Sequence, residues 1–183
     1  MTTSFRGRIA HPTLQALYDY WLARRSAHGF MLRADLDPTA MPRLLKHLIL
    51  SEVGAADAAG GEPSIRYRVV GTEIVTAHGS DYTGKTIEDL TSGGTLDYTR
   101  QLYGTVVVHA VPVYSEGRFR WAQKEHRWTK RLHVPLSRGG AAVDMVLAGQ
   151  VFEHERTSDR ELMVAAEEAE LAADRAAAAG GAP

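Results

Sequence analysis

Histidine is the residue in this sequence with the widest chemistry, and its spacing argues against a metal site. The eight histidines are spread along the chain without a compact pair such as H-x-x-x-H; they are His11, His28, His47, His78, His109, His126, His133 and His154. Ligands from one element need a spacing that directs their nitrogens at one ion. His126 and His133 lie at odd separation on one predicted strand and should face opposite sides. We therefore expect no metal site.

Carboxylates are the next groups that could do chemistry, as a general acid and base. Glu88 and Asp89 are adjacent and would point apart on a helix, and Asp81 stands alone. No Ser, His and Asp in a recognisable order accompany them, and no glycine-rich phosphate loop does. We therefore expect no catalytic residues and no enzyme. The alternative is a small cavity enzyme that uses His109 or His126 as its base.

Residues 116–138 combine basic and aromatic side chains in a way that two structures would explain. They hold seven basic and two acidic residues, together with Phe119, Trp121 and Trp128. Such side chains can stack on bases and neutralise phosphates. A pair of strands with charged outer faces explains the same pattern, and an isoelectric point near 6.7 gives no overall basic field. We therefore expect no nucleic-acid binding.

The composition is that of one globular domain. The chain has 183 residues, 44% of them hydrophobic and 23% charged, with a net charge of −1 and no cysteine. The missing cysteines exclude disulfides, thiolate nucleophiles and thiolate metal ligands. No apolar run is long enough to span a bilayer and no secretory signal begins the chain. These features predict a cytoplasmic protein without membrane insertion.

The elements that must position any site begin with two predicted helices. From Pro12, large apolar residues recur at helical spacing and form one stripe; they are Leu14, Leu17, Tyr18, Trp21 and Leu22. This stripe must be buried either on the domain's own sheet or in a homodimer interface, and the sequence leaves both open. Asp37 and Pro38 predict the start of a second, interrupted helix that ends near Leu48.

Alternation of apolar and polar residues predicts five strands in the rest of the chain. The runs are 48–53, 65–69, 111–114, 124–137 and 143–151. Helical spacing predicts a longer helix over 95–110, between the second and third strands. Ser158 and Glu161 form a capping box that predicts a C-terminal helix. Strands with helices inserted between them predict an α+β fold.

Two stretches resemble a known family. The sequence SIRYRVVGTEIVTAHGSDYTGKTIEDL resembles the strand, turn and small-helix region of bacterial PAS domains. Upstream, LYDYWLARR and DLDPTAMPRLLKHLILSEV are similar to the lead-in of a stand-alone bacterial PAS-like family, so the resemblance covers residues 11–153. It implies a five-stranded antiparallel sheet in the order 2-1-5-4-3, with short helices over one face around a central cavity.

The resemblance also implies a division of the chain and a function. We expect an N-terminal helical lead-in at 1–47, a PAS-like core at 48–153, and an Ala/Glu helix with a flexible tail at 154–183. The expected function is non-catalytic sensing: the domain binds a small molecule or a signalling protein and signals in trans, as a homodimer. A purely structural dimerisation module is a further alternative.

Position and inward parity on the predicted elements indicate which side chains line the central cavity. The candidates are Tyr67, Val69, Leu102, Tyr103, Val106, Trp128 and Met145. The two tyrosine hydroxyls would orient a ligand. We expect no cofactor, with haem bound through His109 as the alternative that the resemblance allows.

Overall fold

The structure, a computed structural model, describes residues 4–54, 63–119, 128–153 and 161–180. Its helices are α1 (Phe5–Arg8), α2 (Pro12–Arg24), α3 (Thr72–His78), α4 (Gly93–His109) and α5 (Glu168–Gly180). Its strands are β1 (Met31–Leu32), β2 (Leu48–Val53), β3 (Ile65–Val70), β4 (Val113–Arg118), β5 (Trp128–Ser137), β6 (Met145–Glu153) and β7 (Leu162–Ala165). The predicted α+β class is confirmed. None of these helices combines the length and apolar character that crossing a membrane requires.

The strands form one sheet, which has seven strands where five were expected. Its order is β3-β2-β6-β5-β4-β7, and β1 pairs with β5 beyond the end of β4. All pairs are antiparallel except β1 with β5. The consecutive strands β2 and β3 pair with each other in antiparallel orientation.

One face of the sheet is covered by α2. Pro12 begins this helix, and the Nδ1 atom of His11 accepts the backbone N–H of Thr13 as the N-cap. The apolar stripe is at most 4% exposed and packs on the outward side chains of the sheet, such as Leu132 and Leu147. Of the two burial sites that the sequence leaves open, the structure shows the domain's own sheet. The candidate dimer residues Leu14, Leu17, Tyr18, Trp21 and Leu22 are buried within their own chain and do not form a homodimer interface.

Helix α2 approaches the sheet most closely at Gly149 in β6. A Cβ atom at that position would lie 2.7 Å from a methyl of Leu17 and 2.9 Å from a methyl of Leu14. The absence of a side chain thus lets the helix seat directly on the strand.

The opposite face of the sheet is covered by α3, α4 and the turns between them. Ile74 from α3 and Leu102 and Val106 from α4 pack on the alternate side chains of β2, β3 and β6. The sheet is therefore buried on both faces, and neighbouring residues along each strand belong to different layers.

Two predicted helices differ in the structure. The second N-terminal helix is replaced by short 3₁₀ turns at Arg33–Asp35, Pro38–Ala40 and Leu45–His47, because prolines interrupt the segment. The C-terminal helix begins at Glu168, whereas Leu162–Ala165 form a strand paired with β4. Ser158 of the expected capping box lies outside the described residues. The division at residues 47 and 153 stays a prediction.

Helix α5 is held to the N-terminal helices mainly by buried carboxylates. Asp174 accepts hydrogen bonds from the Ser4 hydroxyl, the backbone N–H of Arg6 and the Tyr18 hydroxyl. Glu170 pairs with Arg8, and both acids are at most 6% exposed. Leu171 is the large apolar residue that α5 contributes to the core. The acidic helix is therefore paired with the basic N-terminal segment.

Burial of the α2 stripe predicts that Trp21→Ala destabilises the fold. The indole is 0% exposed and its N–H donates to the Pro135 carbonyl at 3.0 Å. We expect a loss of about 3–5 kcal/mol in the free energy of unfolding, measured by urea denaturation. Leu45→Ala, at a side chain that is 41% exposed, is the control and should change stability by no more than about 1 kcal/mol. A Trp21→Ala variant that keeps the wild-type free energy of unfolding but changes its oligomeric mass in light scattering would contradict the placement of Trp21 in the core of its own chain.

Candidate ligand cavity

A small cavity lies between α4 and the sheet, where the sequence analysis expects the ligand. Its volume is about 40 Å³. The side chains around it are Ile49, Tyr67, His78, Tyr82, Tyr98, Thr99, Leu102, Tyr103, Phe119, Arg131, His133 and Gln150. A cavity needs roughly 10–15 Å³ of volume of this kind to admit one water molecule, so the space as it stands has the size of a few water molecules at most.

The cavity wall on α4 is fixed to the sheet by Tyr103. Its hydroxyl and the Ser51 hydroxyl form a buried hydrogen bond of 2.9 Å. Its ring lies edge-on to the imidazole of His133, with 5.4 Å between the ring centroids. Burial raises the pKa of Tyr103 to about 12, so the phenol stays protonated at neutral pH. Tyr103 therefore offers a neutral donor and acceptor inside the cavity.

His133 is the most unusual group in the cavity wall. It is 6% exposed, and its Nδ1 atom is buried without a hydrogen bond to any residue that the structure describes. Burial, together with the positive charge of Arg131, lowers the pKa of His133 to about 3. The imidazole is therefore neutral at neutral pH. Buried polar atoms almost always have a partner, so this nitrogen is an available ligand contact.

A second buried polar atom lies on the same face of the sheet. Ser115 is 0% exposed and its hydroxyl has no hydrogen-bond partner among the described residues. The register of β4 and β5 pairs Ser115 with Arg131 and Val113 with His133. These two pairs are neighbours on the same face of the sheet, so Ser115 and His133 lie diagonally across from each other on that face. Two unpartnered polar groups thus lie in the layer beneath α4.

Four of the predicted cavity residues lie in this layer. Tyr67, Leu102 and Tyr103 line the cavity itself, and Val106 is fully buried in the same apolar cluster. The Tyr67 ring contacts Tyr82 edge-on at 4.9 Å between centroids.

The other three predictions are wrong, and the strand geometry explains each. A β-bulge makes Arg68 an extra residue in β3, so Val69 pairs with Leu50, faces the α2 side and is 50% exposed. Met145 packs in the core cluster of α2. Trp128 shares its face of β5 with Leu132, which also packs against α2.

Sequence reasoning missed eight of the polar and aromatic residues around the cavity. They are His78, Tyr82, Tyr98, Thr99, Phe119, Arg131, His133 and Gln150. The alternation of side chains along β5 could have predicted two of these residues. If Leu132 lies against α2, its neighbours Arg131 and His133 must lie on the opposite face, beneath α4. Because both faces of this sheet are buried, the apolar residues of β5 lie on the α2 face and do not mark the cavity face.

The alternative haem ligand does not face this space. His109 is exposed at the last residue of α4, while Leu102, Tyr103 and Val106 form the buried side of that helix. The alternative of haem bound through His109 gains no support from the cavity, because its imidazole lies at the surface. His126, the second candidate base, lies outside the described residues.

The neutral buried imidazole predicts an acid-sensitive stability. The pKa of His133 is about 3 in the folded chain against an ordinary 6.5, so between these values the unfolded state binds one proton more. The neutral imidazole of His133 therefore contributes to the free energy of unfolding. This contribution is fully present above pH 6.5 and is lost as the pH falls from 6.5 towards 3, by about 1.4 kcal/mol per pH unit. His133→Leu should therefore flatten the pH profile of the unfolding free energy by this slope.

Urea denaturation between pH 7 and pH 4 measures this profile. His109→Leu is the matched control at the surface and should leave the wild-type profile in place. A His133→Leu profile parallel to that of the wild type would show that the imidazole of His133 is not held neutral by burial.

Comparison with known proteins identifies the family. A family model described as PAS domain matches residues 9–147, from the turn before α2 to the middle of β6. Neither the curated proteins nor the solved structures gave a significant match. Domains of this kind are sensory and regulatory modules and are generally not catalytic. Because the match covers most of the chain and the described fold is an α+β sheet beneath short helices, the chain belongs to the PAS domain family.

Proposed function

We propose that this PAS domain is a non-catalytic sensor whose input is a small molecule bound between the sheet and α4. The observation that carries the proposal is the buried, unpartnered Nδ1 atom of His133 in the cavity wall. Leaving such an atom without a partner costs roughly 1–3 kcal/mol, which a hydrogen-bonding ligand would recover.

The described cavity wall favours binding over catalysis. It contains His78 and His133, and no Asp or Glu belongs to the described side chains around it. General acid–base chemistry commonly needs a second, suitably placed titrating or charge-stabilising group beside the histidine. The enzyme alternative predicts a histidine and a carboxylate together in the cavity, and the described wall does not supply that pair.

Ligand binding would act through the position of α4. The cavity is too small for an ordinary metabolite, whose sites are typically about 300–1,000 Å³. A ligand must therefore move side chains of α4, such as Leu102 and Tyr103, away from the sheet. Ligand binding would thus increase the fraction of molecules in which α4 is displaced from the sheet, and this conformational change would be the signal.

The remaining predictions concern the partner and the location of the protein. Signalling in trans, a homodimer and a cytoplasmic location stay predictions. A homodimer, or a module that only dimerises, would need a surface other than the α2 stripe, since that stripe lies in the core.

Thermal unfolding in a panel of small metabolites tests the proposal. At least one compound should raise the Tm of the wild type, and that shift should fall by half or more in His133→Leu because the hydrogen bond is lost. His109→Leu is the control and should respond as the wild type does. No stabilising compound in the panel, or equal shifts in wild type and His133→Leu, would contradict a sensor site at His133.

A further inference from the structure

A second hollow, which we call the α4 groove, lies on the other flank of the same helix. Its volume is about 410 Å³, within the range of small-molecule sites. Its walls are Val53, Pro63, Ile65, Asp97, Arg100, Gln101, Tyr103, Gly104, Val107 and Val108. Val108 is 76% exposed at its rim, the most exposed of the large apolar side chains in the described residues.

Tyr103 is the side chain that the groove and the cavity have in common. It belongs to the walls of both, and no other described residue does. Its phenol is attached to the sheet by the hydrogen bond to Ser51 and by the ring contact with His133. Tyr103 is therefore the one described side chain that borders both spaces beneath α4.

The sheet provides a continuous floor for the two spaces. Val53 and Ile65, which pair with each other, belong to the groove, and Ser51 and Tyr67 form the next pair on that face. Ile49 follows in the cavity wall. At about 3.3 Å per residue, the floor from Val53 to Ile49 is roughly 13 Å long, the dimension of a small elongated molecule.

We infer that the groove and the cavity are two halves of one site, which takes an uncharged amphipathic molecule and is gated by Tyr103. The apolar body lies in the groove against Val53, Ile65 and Val107. A hydroxyl head reaches the cavity and bonds to His133. This inference rests on the proposed function and names the ligand class for that site.

The ligand class follows from the chemistry of the two ends of the joined site, which are His133 in the cavity and the aliphatic residues in the groove. A neutral imidazole has one nitrogen that accepts and one that donates a hydrogen bond, and a hydroxyl can pair with either. On its sheet side the groove is lined by the aliphatic Val53 and Ile65, and burying a ligand charge against them would be costly. The charged side chains of its wall are Asp97, which is exposed, and Arg100, which pairs with Glu88. A phenol or alcohol with a short aliphatic or aromatic body matches both ends.

Gly104 allows the groove to be blocked without disturbing the core. A Cβ atom at this position would meet no other atom within 4 Å, and its backbone is helical. Gly104→Phe therefore places a ring in the groove. Gly94→Phe is the matched control, because Gly94 lies in the same helix with equal room for a Cβ atom but belongs to the walls of neither space.

Calorimetric titration with 4-butylphenol and with butylbenzene, which lacks only the hydroxyl, tests the inference. The wild type should bind the phenol about fivefold more tightly, the usual effect of one neutral hydrogen bond. Gly104→Phe should weaken phenol binding at least tenfold, and Gly94→Phe should stay within twofold of the wild type. Tyr103→Ala should bind more tightly than the wild type, because the gate no longer has to open.

The outcomes separate this inference from the proposed function. Phenol binding that Gly104→Phe leaves unchanged would overturn the inference, and so would equal affinity for the two compounds or no binding of either. A metabolite whose stabilisation depends on His133 and not on Gly104 would uphold the proposed function and refute the joined site. If circular dichroism shows Gly104→Phe to be unfolded, Gly104→Leu replaces it with the same expectations.

Discussion

The fold depends on burying both faces of a single sheet with helices from different parts of the chain. The apolar stripe of α2 covers one face, and Gly149 lets that helix rest on β6 at van der Waals distance. Helices α3 and α4 cover the other face. A sheet protected in this way has two separate layers, so each strand contributes alternate residues to a tight apolar core and to the layer beneath α4.

The two layers differ in chemistry, and this difference produces the candidate site. On the α2 side, β5 and β6 contribute Leu132, Val134 and Leu147 to a dense core. On the α4 side the same strands contribute Arg131, His133 and Gln150 around a small cavity. A polar set in a buried layer lowers stability unless every group is paired, and the Nδ1 atom of His133 is not paired among the described residues. Proteins retain such groups where function uses them.

The sequence predicted the elements better than the faces they present. Helical spacing placed α2 and α4, and alternation found β2, β3, β5 and β6, because local side-chain periods reflect burial directly. Val69 was misplaced because a one-residue bulge reverses parity, and bulges leave no clear mark in a sequence. Met145 and Trp128 were misplaced because both faces of their strands are buried, so an apolar residue does not reveal its layer. The gating position of Tyr103 depends on two hollows that only the assembled fold defines.

Nitrogen-15 NMR of the His133 side chain tests the central claim, a small-molecule contact at its imidazole, most directly. Spectra of protein labelled at the histidine ring nitrogens, assigned with His133→Leu, would follow Nδ1 while 4-butylphenol is added. A saturable shift of this one resonance is expected as the nitrogen gains a hydrogen bond, while the resonances of the exposed His109 stay unchanged. A His133 resonance that stays in place while the phenol binds elsewhere on the protein would contradict it.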